Sequence, residues 1–346
     1  MNPKVKSFLK ILLFLAIGLS LVWMSFKDLS GNDINKLKTS ALNANYWWLL
    51  LSVLIGVLSH VLRAYRWKML AEPMGYNPRF SNSFFAVTVG YLVNYGVPRL
   101  GEISRCTVLN KYEKIPFTKS FGTVIAERVL DLIFFFIVFL LMLITQYEKI
   151  SGYLQENIYP AFHAKTNKLA ENTTALLLLA GSFILLILFL FLFRKKIKGI
   201  FSDKVKNFIK GFSEGLLSVK NVKNPLNFIF QTALIWFSYY LSMHVCFYCI
   251  PECADLGFGV GITAFVFGSI TVMITPGGIG AYPYALQKIL FLVYGINEAV
   301  GASFGWISWS ASFLAIIVTG VLSFILLPVL NKNYHPVLPE TEKSPA

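Results

Sequence analysis

Apolar windows of about 17 to 25 residues recur along this chain from Phe8 to the neighbourhood of Leu330, and that recurrence constrains the fold more than any other feature. Each window is long enough to cross a roughly 30 Å hydrocarbon core as a helix, the conformation that satisfies its own backbone amides and carbonyls without water. Only 14% of the 346 residues are charged, against about 25% in soluble domains, and the mean hydropathy is +0.63. The reading is an all-α polytopic membrane protein, a single membrane domain over 1–346 with little length left for a soluble one.

Clear spanning candidates fall at about 8–26, 46–62, 129–147, 174–193, 226–250 and 300–330. The basic start "MNPKVKSFLKILLFLAIGLSLVWMSF" has the shape of a signal peptide, but no small-residue cleavage site follows closely, so it reads as an uncleaved first span. Two further stretches, 81–125 and 260–296, are apolar enough to enter the bilayer but are broken near their middles by Pro and Gly.

The net charge of +14 sits in short Lys/Arg segments beside apolar runs, where orientation and anionic headgroups account for it. No basic recognition module is present, so nucleic acid is excluded as a partner. Lysines and arginines of short loops stay in the cytoplasm. Lys4, Lys6 and Lys10 place the N-terminus there, and Arg63, Arg66, Lys68 and Arg79 before the first broken stretch match Arg105, Lys111, Lys114 and Lys119 towards its end. That stretch therefore enters and leaves from one side, as a re-entrant hairpin. The block from Arg194 is cytoplasmic, "PECADLG" suits the outer side, and a cytoplasmic tail requires 260–296 to enter and leave from outside.

Two halves result, about 1–147 with its hairpin at 81–125 and 174–330 with its hairpin at 260–296. They begin on opposite sides of the membrane, which is an inverted-topology repeat of six spans and two opposed hairpins. The alternative is a pair of kinked but complete spans, or two short helices crossing separately, giving eight or more crossings. Between the halves, 194–222 carries apolar residues at helical spacing among lysines and reads as a basic amphipathic helix on the cytoplasmic surface.

Broken half-helices present backbone amides and a positive dipole end to anionic groups near the bilayer midplane. In "YLVNYGVPRLGEISR", Gly101 and Glu102 start such a half-helix, with Arg99 before it and Arg105 one turn in, so a phosphate could meet an arginine fork and free amides together. In "AERVLDLIFFF", Glu127 and Asp131 lie four apart around Arg128, with Asp131 about a turn inside the hydrocarbon edge. Intramembrane charges of this kind face a partner or a cavity; these either lock to an arginine or meet substrate or a proton. Arg63, Arg66 and Lys68, interleaved with Tyr65 and Trp67, read as an interfacial belt snorkelling to headgroups. In "TPGGIGAYPYALQKI", Gly277, Gly278 and Gly280 permit close approach, and Tyr282 and Gln287 offer neutral hydrogen bonds; a tight helix break without a ligand is the simpler account.

Cys246, Cys249 and Cys253, with His244 nearby, have superficially metal-like spacing, yet read as small packing residues whose redox state the sequence leaves open. No metal or other cofactor is expected. No Walker loop, nucleotide fingerprint, G-x-S-x-G elbow or H-E-x-x-H motif occurs, so the chain does not read as an enzyme. Acid–base chemistry on a headgroup by intramembrane carboxylates stays as the alternative.

The runs "NYGVPRLGEISR", "AERVLDL" and "PGGIGAYPYAL" together resemble the flippase-like membrane domain of lysylphosphatidylglycerol synthases and their stand-alone relatives. The resemblance implies movement of a lipid or lipid-linked sugar between leaflets, with Asn94, Pro98, Arg99, Gly101, Glu102, Arg105, Glu127, Arg128 and Asp131 as motif residues. Where relatives often carry a Glu after the second Gly-rich turn, this chain has Pro283 in "AYPYA". The expected function is a lipid flippase or transporter for an anionic or lipid-linked headgroup in a bacterial-type plasma membrane, with both termini cytoplasmic. Membrane lipids are the expected partners; an accessory scaffold for a glycosyltransferase, or another lipid-modifying enzyme as partner, is the rival. The sequence does not fix the lipid, the coupling ion or the oligomeric state.

Overall fold

The structure, a computed structural model, describes residues 16, 18–27, 29–97, 99–153 and 203–336. The expected span at 174–193, the beginning of the first span, Pro98, residues 194–202 of the basic linker and the end of the tail lie outside the described residues. Every regular element among the described residues is helical. In chain order these are α1 (18–27), α2 (Gly31–Leu42), α3 (Tyr46–Ala71), α4 (Phe80–Gly96), α5 (Leu100–Glu113), α6 (Phe117–Thr145) and α7 (Tyr147–Tyr153). After the undescribed segment come α8 (Asp203–Leu217), α9 (Pro225–Val245), α10 (Phe258–Ile274), α11 (Ala281–Tyr294) and α12 (Glu298–Leu330).

Among the described residues, three helical segments are long and apolar enough to cross a membrane: Tyr46–Met74, Phe117–Thr145 and Glu298–Leu330, with mean hydropathies of 1.7, 2.5 and 2.7. Polar residues cap the starts of two of them, and Pro116 precedes the third. The Asn45 side chain accepts from Trp47 N at the head of α3, and Asn297 Oδ1 accepts from Ala299 N and Val300 N at the head of α12. Two boundaries differ from the expectation. α6 begins at Phe117, so Glu127 and Asp131 lie three to four turns inside it rather than one; Phe117–Val124 carries only Lys119 as a charge and simply continues the helix. α9 stops at Val245 and the chain continues as 3-10 turns, Cys246–Cys249 and Pro251–Cys253, because Pro251 cannot extend a helix.

Both broken stretches fold as helix, break, helix, and their arms match in length. α4 has 17 residues and α5 has 14; α10 has 17 and α11 has 14. At 1.5 Å per residue these arms span about 26 and 21 Å, short of the roughly 30 Å core. In the first break Val97 is extended and Arg99 is left-handed (φ 62°). In the second, Thr275 is extended before Pro276, as a residue preceding proline must be, and Gly277, Gly278 and Gly280 all take positive φ, which glycine alone adopts freely. The chain reverses at each break and the arms pack on each other. A Cβ on Gly101 would stand 2.0 Å from the Gly90 carbonyl oxygen, so the first pair of arms cross backbone to backbone through small residues.

The two tips touch. A Cβ on Gly277 would lie 2.4 Å from the Tyr95 ring. The Trp309 indole of α12 donates to Gly277 O at 2.9 Å and stacks on Phe313, which also meets Tyr95. Packing is exchanged around this junction: α4 lies against α12 and α10 against α6, while α5 and α11 stay with the long helices that follow them. α3 and α9 lie side by side, joined by Ser52 Oγ donating to Ser242 O (2.6 Å) and Ser242 Oγ to Ser52 O (2.9 Å). Cys246, Cys249 and Cys253 are free thiols buried in the apolar core beside them, where Cys246 Sγ meets Ser52 Oγ at 3.2 Å. The described part of the amphipathic linker, α8, packs on α6: a Cβ on Gly122 would be 2.2 Å from Phe212 O, and a Cβ on Gly215 2.1 Å from Lys119 O.

Candidate functional site

Four arginines and three carboxylates converge where α3, α5 and α6 meet. Asp131 accepts from Arg63 Nη1 at 2.8 Å and from Arg66 Nη2 at 3.0 Å. Glu127 accepts from Arg66 Nη2 at 3.3 Å and from Arg105 Nη1 at 2.6 Å. All five side chains are buried, Arg66 wholly so. At the rim, Arg128 Nη2 donates to Glu102 Oε1 at 2.6 Å with the arginine 44% exposed. Glu127 thus ties the first hairpin, through Arg105, to α3, through Arg66.

Helical spacing produces this set. Arg63 and Arg66 are three apart and share a face of α3, Glu127 and Asp131 are four apart on α6, and Glu102 and Arg105 are three apart on α5. Taking such charges from water costs several kcal/mol per ion, and good ion-pair geometry with further hydrogen bonds offsets it. The further bonds are present: Arg63 Nε to Tyr239 Oη (3.1 Å) and Arg66 Nη1 to Thr232 Oγ1 (3.2 Å), both from α9. Trp67 lies 5.4 Å from the Arg105 guanidinium and is itself fixed by its indole donating to Thr123 Oγ1 at 2.9 Å. The balance is uneven. Three buried arginines face two buried carboxylates, and the rim pair adds no net charge.

A cavity of about 20 Å³, lined by Asn94, Gly101, Glu102, Arg105, Arg128 and Tyr91 among others, opens beside Arg105. That is room for about one water. Arg105 spends only Nη1 on Glu127; among the described residues its Nε and Nη2 have no hydrogen-bond partner, and neither has Glu102 Oε2.

Of the residues the sequence singled out, Asn94, Gly101, Glu102, Arg105 and Arg128 line this cavity, and Glu127 and Asp131 lie behind it as the anions that hold the arginines. The lock between hairpin and span is therefore present. Arg99 is exposed at the tip of the hairpin and outside the network. The expected row of free amides is reduced, because Asn94 Oδ1 accepts from Gly101 N at 2.7 Å and Val97 O accepts from Leu100 N at 3.2 Å. The second-hairpin residues do not reach the cavity. Gly277 touches Tyr95, and a Cβ on Gly280 would stand 2.4 Å from Gly18 O of α1. A Cβ on Gly278 would meet Tyr282, whose ring is buried against Gly268. Gln287 exchanges hydrogen bonds with Ser25 (2.5 and 3.1 Å) and donates to Glu298 (3.2 Å). These residues fasten the second hairpin to α1 and α12.

Arg63 and Arg66 correct the sequence reading: they are 4% and 0% exposed and paired, with no belt to snorkel from. The apolar run in the sequence stops at residue 62, whereas α3 continues to Ala71 and carries both inside the protein. The signal that could have found them is complementarity, a cation pair three apart on one span and an anion pair four apart on another. Tyr91 and Tyr239, which flank Arg63 with ring centroids 5.9 Å away, carried no signal at all.

Residues 9–328 match the family described as "Lysylphosphatidylglycerol synthase TM region". The chain is 31% identical over 123 residues to the UPF0104 membrane protein MJ1595 of Methanocaldococcus jannaschii, an alignment covering 35% of this chain and 36% of that protein. The match thus spans about a third of the length of that curated relative. No solved structure matches.

Proposed function

The chain belongs to the lysylphosphatidylglycerol synthase transmembrane-region family and is a multi-pass membrane protein, and on that premise we propose that it moves an anionic or lipid-linked headgroup between leaflets. The observation that carries the proposal is the buried, arginine-rich network around Glu127, bordered by a cavity with an unpaired guanidinium edge. Charges buried this deeply in membrane helices belong to substrate or ion paths more often than to scaffolding.

In this reading the two hairpins enter from opposite leaflets and meet at Tyr95 and Gly277. Equal arm lengths, the exchanged packing of α4 on α12 and α10 on α6, and the Lys/Arg bias support an inverted repeat of six spans with both termini cytoplasmic. Rocking one half against the other about the tip contact gives the cavity access to each face in turn. Arg105 binds the headgroup and Arg99, exposed at the tip, meets it on the way in. No nucleotide-binding motif occurs in the sequence, so movement runs downhill or on an ion gradient.

The rival in which Glu127 or Asp131 performs acid–base chemistry is disfavoured by their engagement: each carboxylate holds two arginines. Proteoliposomes reconstituted with fluorescent lipids test the proposal. Wild type exchanges an anionic lipid faster than empty vesicles, Arg99→Ala slows the exchange, and purified protein in detergent leaves the lipid chemically unchanged. A modified lipid product in detergent, or exchange no faster than in empty vesicles, overturns it.

A further inference from the structure

The charge count and the unpaired atoms of the cavity narrow the headgroup class. We propose, resting on the transport reading above, that the site selects a singly charged phosphodiester bearing a hydroxyl near the phosphorus, as glycerol or sugar headgroups do, over dianionic phosphomonoesters and over ammonium zwitterions.

The first support is geometric. Nε and Nη2 of Arg105 form the side-on edge of the guanidinium, two parallel N–H donors that match two oxygens on one phosphorus. Both are unpaired on a side chain only 8% exposed, and the Trp67 ring and the bond to Glu127 hold the plane in place. A phosphodiester presents two equivalent non-bridging oxygens to such a fork, once the rocking of the halves widens the cavity beyond the single-water room it has in this closed arrangement.

The second is the count. Arg63, Arg66, Arg105 and Arg128 face Glu102, Glu127 and Asp131, leaving one positive charge uncompensated. All four oxygens of Glu127 and Asp131 are engaged; among the described residues Nε of Arg66 is unpaired too, but Arg66 does not line the cavity, so a ligand there meets the surplus only at the free edge of Arg105. One negative charge neutralises the cluster. Two leave it anionic, and a zwitterion leaves it cationic.

The third is Glu102, which shares the cavity wall with Asn94 and whose Oε2 takes no hydrogen bond among the described residues. Glu102 and Arg105 are three apart on one helix face, so their side chains start about 5–6 Å from each other. An anion alone meets repulsion from this carboxylate. A hydroxyl a few bonds from the phosphorus donates to Oε2 while the phosphate oxygens accept from Arg105, and every buried polar atom on this wall then finds a partner.

The shared chemistry has two sources, a glycerophospholipid and a lipid-linked monophosphate sugar. Purified full-length protein in detergent is titrated calorimetrically with sn-glycero-3-phosphoglycerol and with a hexose 1-(methyl phosphate), one probe for each source. Glycerol 3-phosphate is the dianionic control, and sn-glycero-3-phosphoethanolamine the zwitterionic one. At least one diester with hydroxyls binds tenfold or more tightly than both controls, and Arg105→Lys, which keeps the charge but loses the fork, weakens it at least tenfold. Glu102→Gln raises the surplus to two charges and shifts the ratio tenfold or more towards glycerol 3-phosphate. Equal or tighter wild-type binding of either control overturns the inference whether or not the variants fold. Selective binding without leaflet exchange overturns the transport reading alone; leaflet exchange indifferent to headgroup charge overturns this inference alone.

Discussion

Replacing Glu127 by Gln removes the one anion that connects the hairpin to α3 while keeping the side chain's shape. Glu127 is 1% exposed and accepts from Arg105 at 2.6 Å and from Arg66 at 3.3 Å. Arg66 retains Asp131 and Thr232, but Arg105 loses the one carboxylate it bonds among the described residues and becomes an uncompensated buried cation. Breaking one side of a buried pair costs about 3–5 kcal/mol. With an unfolding entropy of about 2.1 cal/mol/K per residue, that loss lowers the melting midpoint of a chain this long by about 4–7 °C. The assay is thermal unfolding in detergent at one scan rate, with Arg105→Gln and the double variant alongside. Because Arg105→Gln removes the stranded charge, the double variant is less destabilised than the sum of the singles by about 0.5–3 kcal/mol. A single variant melting within 1 °C of wild type by that roughly 4–7 °C reckoning, or strict additivity, refutes the claim that Glu127 holds the hairpin.

Gly101→Ala places a methyl 2.0 Å from the Gly90 carbonyl, a backbone atom that cannot give way, so the α4–α5 arms separate and both melting midpoint and lipid exchange fall. Gly277→Ala meets the Tyr95 ring at 2.4 Å and adds left-handed strain at φ 59°; Tyr95→Ala in the same chain relieves the first and leaves about 1–2 kcal/mol of the second, which the melting midpoint of the double variant reads. Arg99 also sits in the left-handed region yet is exposed, so Arg99→Gly is stabilising by up to about 1–2 kcal/mol while lipid exchange slows; a destabilised Arg99→Gly contradicts this.

The sequence carried the class of fold plainly, because a membrane-spanning helix must declare itself in length and hydropathy. It also carried both breaks, since Pro98, Pro276 and the glycines beside them punctuate the chain where it turns. Asn94, Glu102, Arg105 and Arg128 were legible as one group because they lie on two nearby segments, and they do line one cavity. Arg63 and Arg66 were assigned to the surface because charge near the end of an apolar run has two meanings, and only the facing helix decides between them. Tyr282 and Gln287 erred the other way: neutral polar residues beside a glycine turn look the same whether they meet a ligand or, as here, Ser25 and Glu298 of neighbouring helices. Asn94 lines the cavity and its Oδ1 caps the Gly101 amide, a local task that the sequence does not distinguish from contact with a ligand.

Opposed hairpins are what the account rests on, and sidedness labelling tests them most directly. Single cysteines replace the exposed Asn77 or Lys114, flanking the first hairpin, and Asp255 or Asn297, flanking the second; the native thiols are buried. A membrane-impermeant maleimide is applied to oriented vesicles from one side or the other. With opposed hairpins, positions 77 and 114 react only from the cytoplasmic face and 255 and 297 only from the opposite one. Labelling of 77 and 114 from different faces contradicts it, because the first broken segment then crosses the bilayer outright.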